Sequence, residues 1–245
     1  LPAGSELTWS RAEGPASGPM ILHDVRYVHR GCPDADGKPV AWPACGRDEL
    51  LTVFVAKRVT LDPTLRPLIG RRLQLELLSV ADATVTLPHD DSPFELPRWP
   101  ESLPLIETPL AIEAHEVVID RLRVVRAPPR TTPDAAVESL VAIASLRGCV
   151  EVDRGFLRLE RVLAKTDRGE FGAHGEYAPR DRHRIDMIVR ATLPAPAGRT
   201  PARIGAVARG DLDALSVSVS GNAPAPLKAR LQLEGEHRPR WRFEA

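Results

Sequence analysis

The run from Leu73 to Leu87 carries an apolar residue at nearly every second position: Leu73, Leu75, Leu77, Ala81, Ala83, Val85 and Leu87, with Ser79 the exception. Side chains alternate between the two faces of a strand, so this run predicts one apolar wall and one mostly polar wall built from Gln74, Glu76, Asp82, Thr84 and Thr86. Leu78 and Val80 interrupt the polar wall. At roughly 3.3 Å per residue the strand would extend about 45–50 Å, more than twice the usual length. A compact sandwich has little use for such a strand, although its apolar face is equally at home in a core or an open trough.

The same alternation recurs elsewhere in the 245 residues. Leu7 and Trp9, then Ile21, Val25 and Tyr27, read as two strands joined by the EGPASGP turn, and Leu51 to Leu61 alternate again. Later runs are Leu110–Ile112, Val117–Ile119, Leu122–Val124, Val150/Val152, Leu157/Leu159, Phe171/Ala173, Ile185/Met187/Val189, Leu215/Val217/Val219 and Leu227 to Leu233. A change of phase near Glu116 suggests a bulge. Asp134 to Arg147 opens like a helix but alternates at Leu140, Ala142 and Ala144, which favours strand. Asp62-Pro63 has the form of a helix cap and first turn, predicting a short helix over 63–70. With 24 prolines long helices are disfavoured. The expected class is all-β, mainly antiparallel, an extended curled sheet with an apolar groove and one short helix.

The clearest internal break is the APPRTTP stretch. It would separate residues 1–127, carrying the loop 32–45 and the helix 63–70, from residues 128–245, unless it is only a loop in one continuous sheet. Cys32 and Cys45 flank a Gly-, Pro- and Asp-rich segment, and a disulfide there would stabilise the loop by about 3 kcal/mol. Two unpaired thiols are the alternative. Cys149, beside Val150, reads as a small apolar residue.

The composition narrows the function classes. Thirty-three basic and 33 acidic residues cancel, which removes the usual electrostatic argument for nucleic acid or an anionic membrane as partner. No stretch of 18 apolar residues occurs, and Leu1 to Thr8 lacks a signal-peptide pattern, so the chain reads as part of something longer. The seven histidines never pair at i, i+4, and Asp34-Ala35-Asp36-Gly37 has Cys45 where a calcium loop needs Glu. GEFGAHGEY precedes no helix that could hold phosphate, no G-x-S-x-G is present, and DRHR reads as a charged turn. No catalytic residue, metal or cofactor is therefore expected.

A family resemblance supplies what residue chemistry does not. The opening LPAGSELTWSRAEGPASGPMILHDVRY resembles the element after the membrane anchor in TamB-like proteins of the AsmA-like superfamily. AKRVTLDPTLRPLIGRRLQLELLSVADATVTLP is similar to that family's strand, short helix and long strand, and PFELPRWPESLPL, RVLAKTDRGEFGAHGEYAP and ARGDLDALSVSVSGNAPAPLKARLQLEG resemble its successive repeats. The cysteine loop departs from the pattern. The resemblance implies a repeating β-groove in a periplasmic protein tethered to the inner membrane by an N-terminal anchor. It further implies phospholipid passage between the membranes and outer-membrane protein assembly with an Omp85-family partner. On that basis the alternating residues Leu73, Leu75, Leu77, Ala81, Ala83, Val85, Leu87, Ile112, Ile185, Met187, Val189, Leu231 and Leu233 are the candidates to contact acyl chains. A scaffold that offers strand edges to nascent barrels, or a closed sandwich, are the alternatives.

Overall fold

The computed structural model describes residues 4–33, 39–41, 49–64, 71–88, 106, 111–128, 136–153, 155–235 and 240–245. Among the described residues fifteen strands follow one another: β1 (Ser5–Thr8), β2 (Arg11–Glu13), β3 (Met20–Pro33), β4 (Pro39–Ala41), β5 (Glu49–Thr64), β6 (Arg72–Leu87), β7 (Ala111–Arg126), β8 (Glu138–Asp153), β9 (Phe156–Thr166), β10 (Gly169–Ala178), β11 (Arg184–Leu193), β12 (Ala202–Gly210), β13 (Ala214–Asn222), β14 (Pro226–Glu234) and β15 (Arg240–Glu244). They form one unclosed sheet in the order β1-β3-β5 and then β6 to β15 in sequence, with β2 and β4 also paired to β3. The all-β, mostly antiparallel class stands. β7 and β8 are neighbours in that order, and residues 129–135 between them lie outside the described residues.

No helix occurs among the described residues. Asp62 and Pro63, expected to cap and start one, instead lie within the last turn-free residues of β5, and the remainder of 65–70 lies outside the described residues. The alternation from Val53 to Leu61 carries the chain through Asp62, and proline is tolerated where a strand ends. The predicted Cys32–Cys45 disulfide also cannot be placed: Cys32 sits in β3 opposite Val40, while Cys45 lies outside the described residues.

One pair departs from the antiparallel rule. Ala111 N–H donates to Arg71 O at 3.1 Å and Ala127 N–H to Leu87 O at 2.9 Å, so β6 and β7 start together and finish together. They are parallel, a pairing that takes a connection longer than a hairpin turn.

Two compact units divide the chain. The first comprises Leu1–Pro63, Leu77–Phe94 and Val118–Ser145; the second comprises Thr64–Glu76, Glu95–Val117 and Leu146–Ala245. The first has a closed core: Leu22, Val25, Ala56, Val59, Val80 and Ala83 are all buried, with Leu7, Met20, Phe54, Leu61, Leu78, Ile119 and Leu122 packed against them. Several of these residues are three apart on their own strand, a spacing that regular alternation would put on opposite faces. The left-handed residues Asp24 (φ 50°), Asp82 (φ 53°) and Arg121 (φ 58°) resolve this. Each sits between a pair of core residues, Leu22/Val25, Val80/Ala83 and Ile119/Leu122, and its left-handed backbone returns both members to one core; at Asp24 this inserts no residue, since His23↔Arg58 and Val25↔Ala56 keep one register.

That geometry corrects the single-wall reading of Leu73–Leu87. In the first unit Val80 shares the core with Ala83, Leu78 packs against them, and Ala81 stands beside the left-handed Asp82, outside that core. Leu78 and Val80, which interrupt the polar wall in the sequence, thus belong with the core.

Candidate functional site

The second unit holds an apolar sheet face assembled by register. On β11, Ile185, Met187 and Val189 stand at alternate positions, and their partners on β12 are Gly210, Ala208 and Ala206. These pair in turn with Leu215, Val217 and Val219 on β13, and those with Leu233, Leu231 and Ala229 on β14. Beyond β14, Leu231 meets Phe243 and Leu233 meets Trp241 on β15. In the other direction Ile185 pairs with Tyr177, Met187 with Gly175 and Val189 with Ala173 on β10, which face Leu157, Leu159 and Val162 on β9. Ala164, Phe171, Ala191, Ile204, Gly221 and Leu227 complete a fourth row. The face spans seven strands, about 29 Å at the usual strand spacing.

A bulge is needed to keep β9 in line. Glu160 and Arg161 together oppose the single residue His174, and Arg161 has φ 50°, so Leu159 and Val162 return to one face despite their spacing of three. Gly175 makes the close approach possible on the other side. Its φ is 138°, and a Cβ there would meet the carbonyl of Asp186 and lie 2.8 Å from Met187 Cα.

The face is exposed. None of its residues on β11 to β15 is buried, and Val189 (39%), Leu227 (38%), Trp241 (72%) and Phe243 (57%) are strongly exposed. A sandwich core would leave such residues near zero. Its side-chain polar groups are the Tyr177 hydroxyl, hydrogen-bonded to His183 Nδ1 at 2.7 Å, and the indole N–H of the exposed Trp241 at the β15 edge. Burial raises the Tyr177 pKa above its ordinary value, keeping the phenol neutral.

The opposite side of the same strands carries the ion pairs, interspersed with Leu163, Ile188 and Val207. Arg158 donates to Glu176 at 2.8 Å and to Glu151 at 3.1 Å, and Arg209 donates to Asp186 at 3.0 Å. Hydrogen bonding to Glu176 and its negative charge hold the Arg158 guanidinium still more firmly protonated. The Cys149 Sγ, predicted as a small apolar group, is half-buried on this side and 3.9 Å from Arg161 Nη2.

The structure therefore gathers Ile185, Met187, Val189, Leu231 and Leu233 on one face. Leu73, Leu75 and Ile112 also belong to the second unit. Their neighbours Arg72, Gln74, Glu76, Glu113 and His115 interact on the opposite, polar side, through Arg72–Glu113 at 3.6 Å, Gln74–His115 at 3.2 Å and Glu76–His115 at 3.5 Å. Glu113 and His115 border the same shallow pocket as Glu151 and Arg158, which places Ile112 and the buried Ala114 on the side of Leu157 and Leu159. Leu75 is likewise buried. The remaining candidates fall in the first unit, where Ala83 is core, Val85 and Leu87 follow it on the same strand, and Leu77 and Ala81 are half-buried.

Sequence reasoning missed Ala206 and Ala208, because alanine and glycine carry a weak apolar signal. Trp241 and Phe243 were also missed, since a five-residue strand shows too little alternation to stand out. No known protein family, no curated protein and no solved structure matches this chain.

Proposed function

We propose that this chain is a lipid-carrying segment in which phospholipid acyl chains lie on the apolar face of β9 to β15. The observation that carries the reading is the exposure of four register-aligned apolar rows whose only polar side-chain groups among the described residues are the hydrogen-bonded Tyr177 hydroxyl and the Trp241 indole N–H at the outer strand. Polypeptide laid on such a face would lose hydration of its amides without replacement, whereas an acyl chain has nothing to satisfy. Each methylene removed from water contributes about 0.8 kcal/mol. Alanine and glycine between larger residues, as in Met187–Ala208–Val217, give the face furrows rather than a flat surface. Transport on this surface uses no catalytic group.

The resemblance to TamB-like proteins supports the same reading and supplies the setting: a periplasmic piece of an inner-membrane-anchored bridge, with an Omp85-family partner bound elsewhere on the full-length protein. Mass spectrometry of lipid retained through purification tests the carriage. Phospholipid bound to the wild-type chain and lost from Val217→Asp and Leu231→Asp is the expected result. Absence of lipid from the folded wild type, or equal retention by both variants, contradicts it.

One observation favours a second reading, a scaffold for other strands. Among the described residues β15 has β14 as its only strand neighbour, and it carries exposed Trp241 and Phe243. Protein-only crosslinks at Phe243, with no lipid found on the face, would favour it.

A further inference from the structure

The balanced charge of the whole chain conceals a segregation within the second unit. At the edge formed by the β10–β11 and β12–β13 turns, basic side chains are matched by carboxylates. Arg182 is bonded to Asp213 and lies 3.6 Å from Asp211, Arg184 meets Asp181 at 2.9 Å, and Arg209 meets Asp186 at 3.0 Å. The opposite edge is formed by the turns β9–β10, β11–β12 and β13–β14. This edge also carries the Lys165–Glu170 pair at 3.5 Å, with Asp167 and Arg168 in the β9–β10 turn, while Arg190, Arg199, Arg203 and Lys228 are exposed and have no carboxylate within ion-pair distance among the described residues, so cations are in excess. The register groups them. Arg190 aligns through Gly205 and Ser220 with Lys228, three strands away or about 14 Å, and Arg203 lies on the same face two residues before Gly205. Arg199 occupies the β11–β12 turn.

Like charges collected without counterions destabilise the sheet that carries them, so an anionic partner is the physical complement. The turns at this edge decide which kind. Pro194-Ala195-Pro196-Ala197-Gly198 and Ala223-Pro224-Ala225-Pro226 are small and apolar, and they lie at the mouth of the apolar rows. Small apolar turns backed by cations suit the headgroup level of a bilayer. A single-stranded nucleic acid would call for aromatic rings among the cations, and the Arg190–Lys228 row has none; a duplex is separated from a bilayer by the test below.

We propose that this edge docks on an anionic phospholipid surface and sets the apolar face against the bilayer from which lipid enters or leaves. The assignment deepens the lipid-carrying reading and rests on it for what the docked edge delivers. The test is co-sedimentation with mixed phosphatidylglycerol–phosphatidylcholine vesicles and with pure phosphatidylcholine vesicles. Wild type should bind the mixed vesicles selectively, the triple variant R199E/R203E/K228E should bind about tenfold more weakly, and Arg184→Glu on the opposite edge should bind as wild type does. If charge reversal impairs folding, R199Q/R203Q/K228Q reads the same loss. Equal binding to both vesicles, unchanged binding by the triple variant, or tighter binding to a DNA duplex than to mixed vesicles would overturn the proposal. A chain that carries lipid but ignores anionic vesicles overturns this docking edge alone; one that sediments with them but never carries lipid overturns the lipid-carrying reading alone.

Discussion

Asp82 and Arg121 face each other across the parallel pair β6–β7, both with left-handed backbones, joined by Arg121 Nε to Oδ1 at 2.6 Å and Nη2 to Oδ2 at 2.9 Å. The pair links the two left-handed positions that stand between Val80 and Ala83 and between Ile119 and Leu122, all four in one core. The hydrogen bond from Arg121, with the nearby charges of Arg121, Lys57 and Arg58, lowers the Asp82 pKa below 3.8. A depressed carboxylate pKa stabilises the fold above the unfolded value and ceases to do so as pH falls through the folded one. Denaturation midpoints taken from neutral pH into the acid range should therefore fall less steeply for Asp82→Asn than for wild type. Parallel curves would show that the pair is inert.

Backbone conformation at the same position gives a separate expectation. Asp82→Gly should keep most of the stability lost by Asp82→Val, because glycine adopts φ near +53° freely and a β-branched residue does not. Equilibrium unfolding in urea ranks the two variants, and equal loss would place the defect in the side chain instead.

The closed core and the open face should respond oppositely to charge. Val80→Asp puts a carboxylate into a site only 8% exposed and should abolish cooperative folding, at a cost of several kcal/mol. Val217→Asp, on the half-exposed face, should leave the unfolding midpoint within about 1 kcal/mol of wild type. Circular dichroism melts of both variants measure the contrast.

Gly175→Ala should cost about 2–3 kcal/mol, since φ 138° and the closeness of Met187 Cα leave no room for a Cβ without moving β10 from β11. Amide exchange should increase across Tyr177–Ala173 and Ile185–Val189 together, whereas a purely local effect would confine it to Gly175.

Tyr177→Phe removes a hydrogen bond to His183 and should cost about 1 kcal/mol. Burial raises the tyrosine pKa, so its contribution is intact below the ordinary value of 10.0 and disappears as pH rises through the folded value. The difference between wild type and variant should shrink in that alkaline range, as followed by urea midpoints.

Much of this architecture was legible in residue order. The Leu73–Leu87 run became β6, and Ile185/Met187/Val189 and Leu231/Leu233 reached one face, because strand alternation is local and glycine and proline mark its breaks. The left-handed positions were harder to see. Val80 to Ala83 and Leu159 to Val162 are three apart, which reads as a lost phase unless Asp82 and Arg161 are known to be left-handed; aspartate offers a weak hint of that conformation and arginine none. The parallel β6–β7 pairing takes a long connection, and the sequence between the two strands, rich in proline, reads like any surface loop. Asp62-Pro63 misled because a capping pair carries a local signal that the preceding strand overrode. The basic edge was invisible in the net charge, since its cations come from three strands and a turn that only the register brings together.

Site-specific photo-crosslinking in the full-length protein tests the central claim most directly, with a photoreactive residue placed in turn at Met187, Val217 and Leu231 on the apolar face and at Ser218 and Arg209 on the polar one. Phospholipid adducts at the first three positions and not at the other two are the predicted result. Adducts to protein alone, or lipid in equal amounts on both faces, would contradict it.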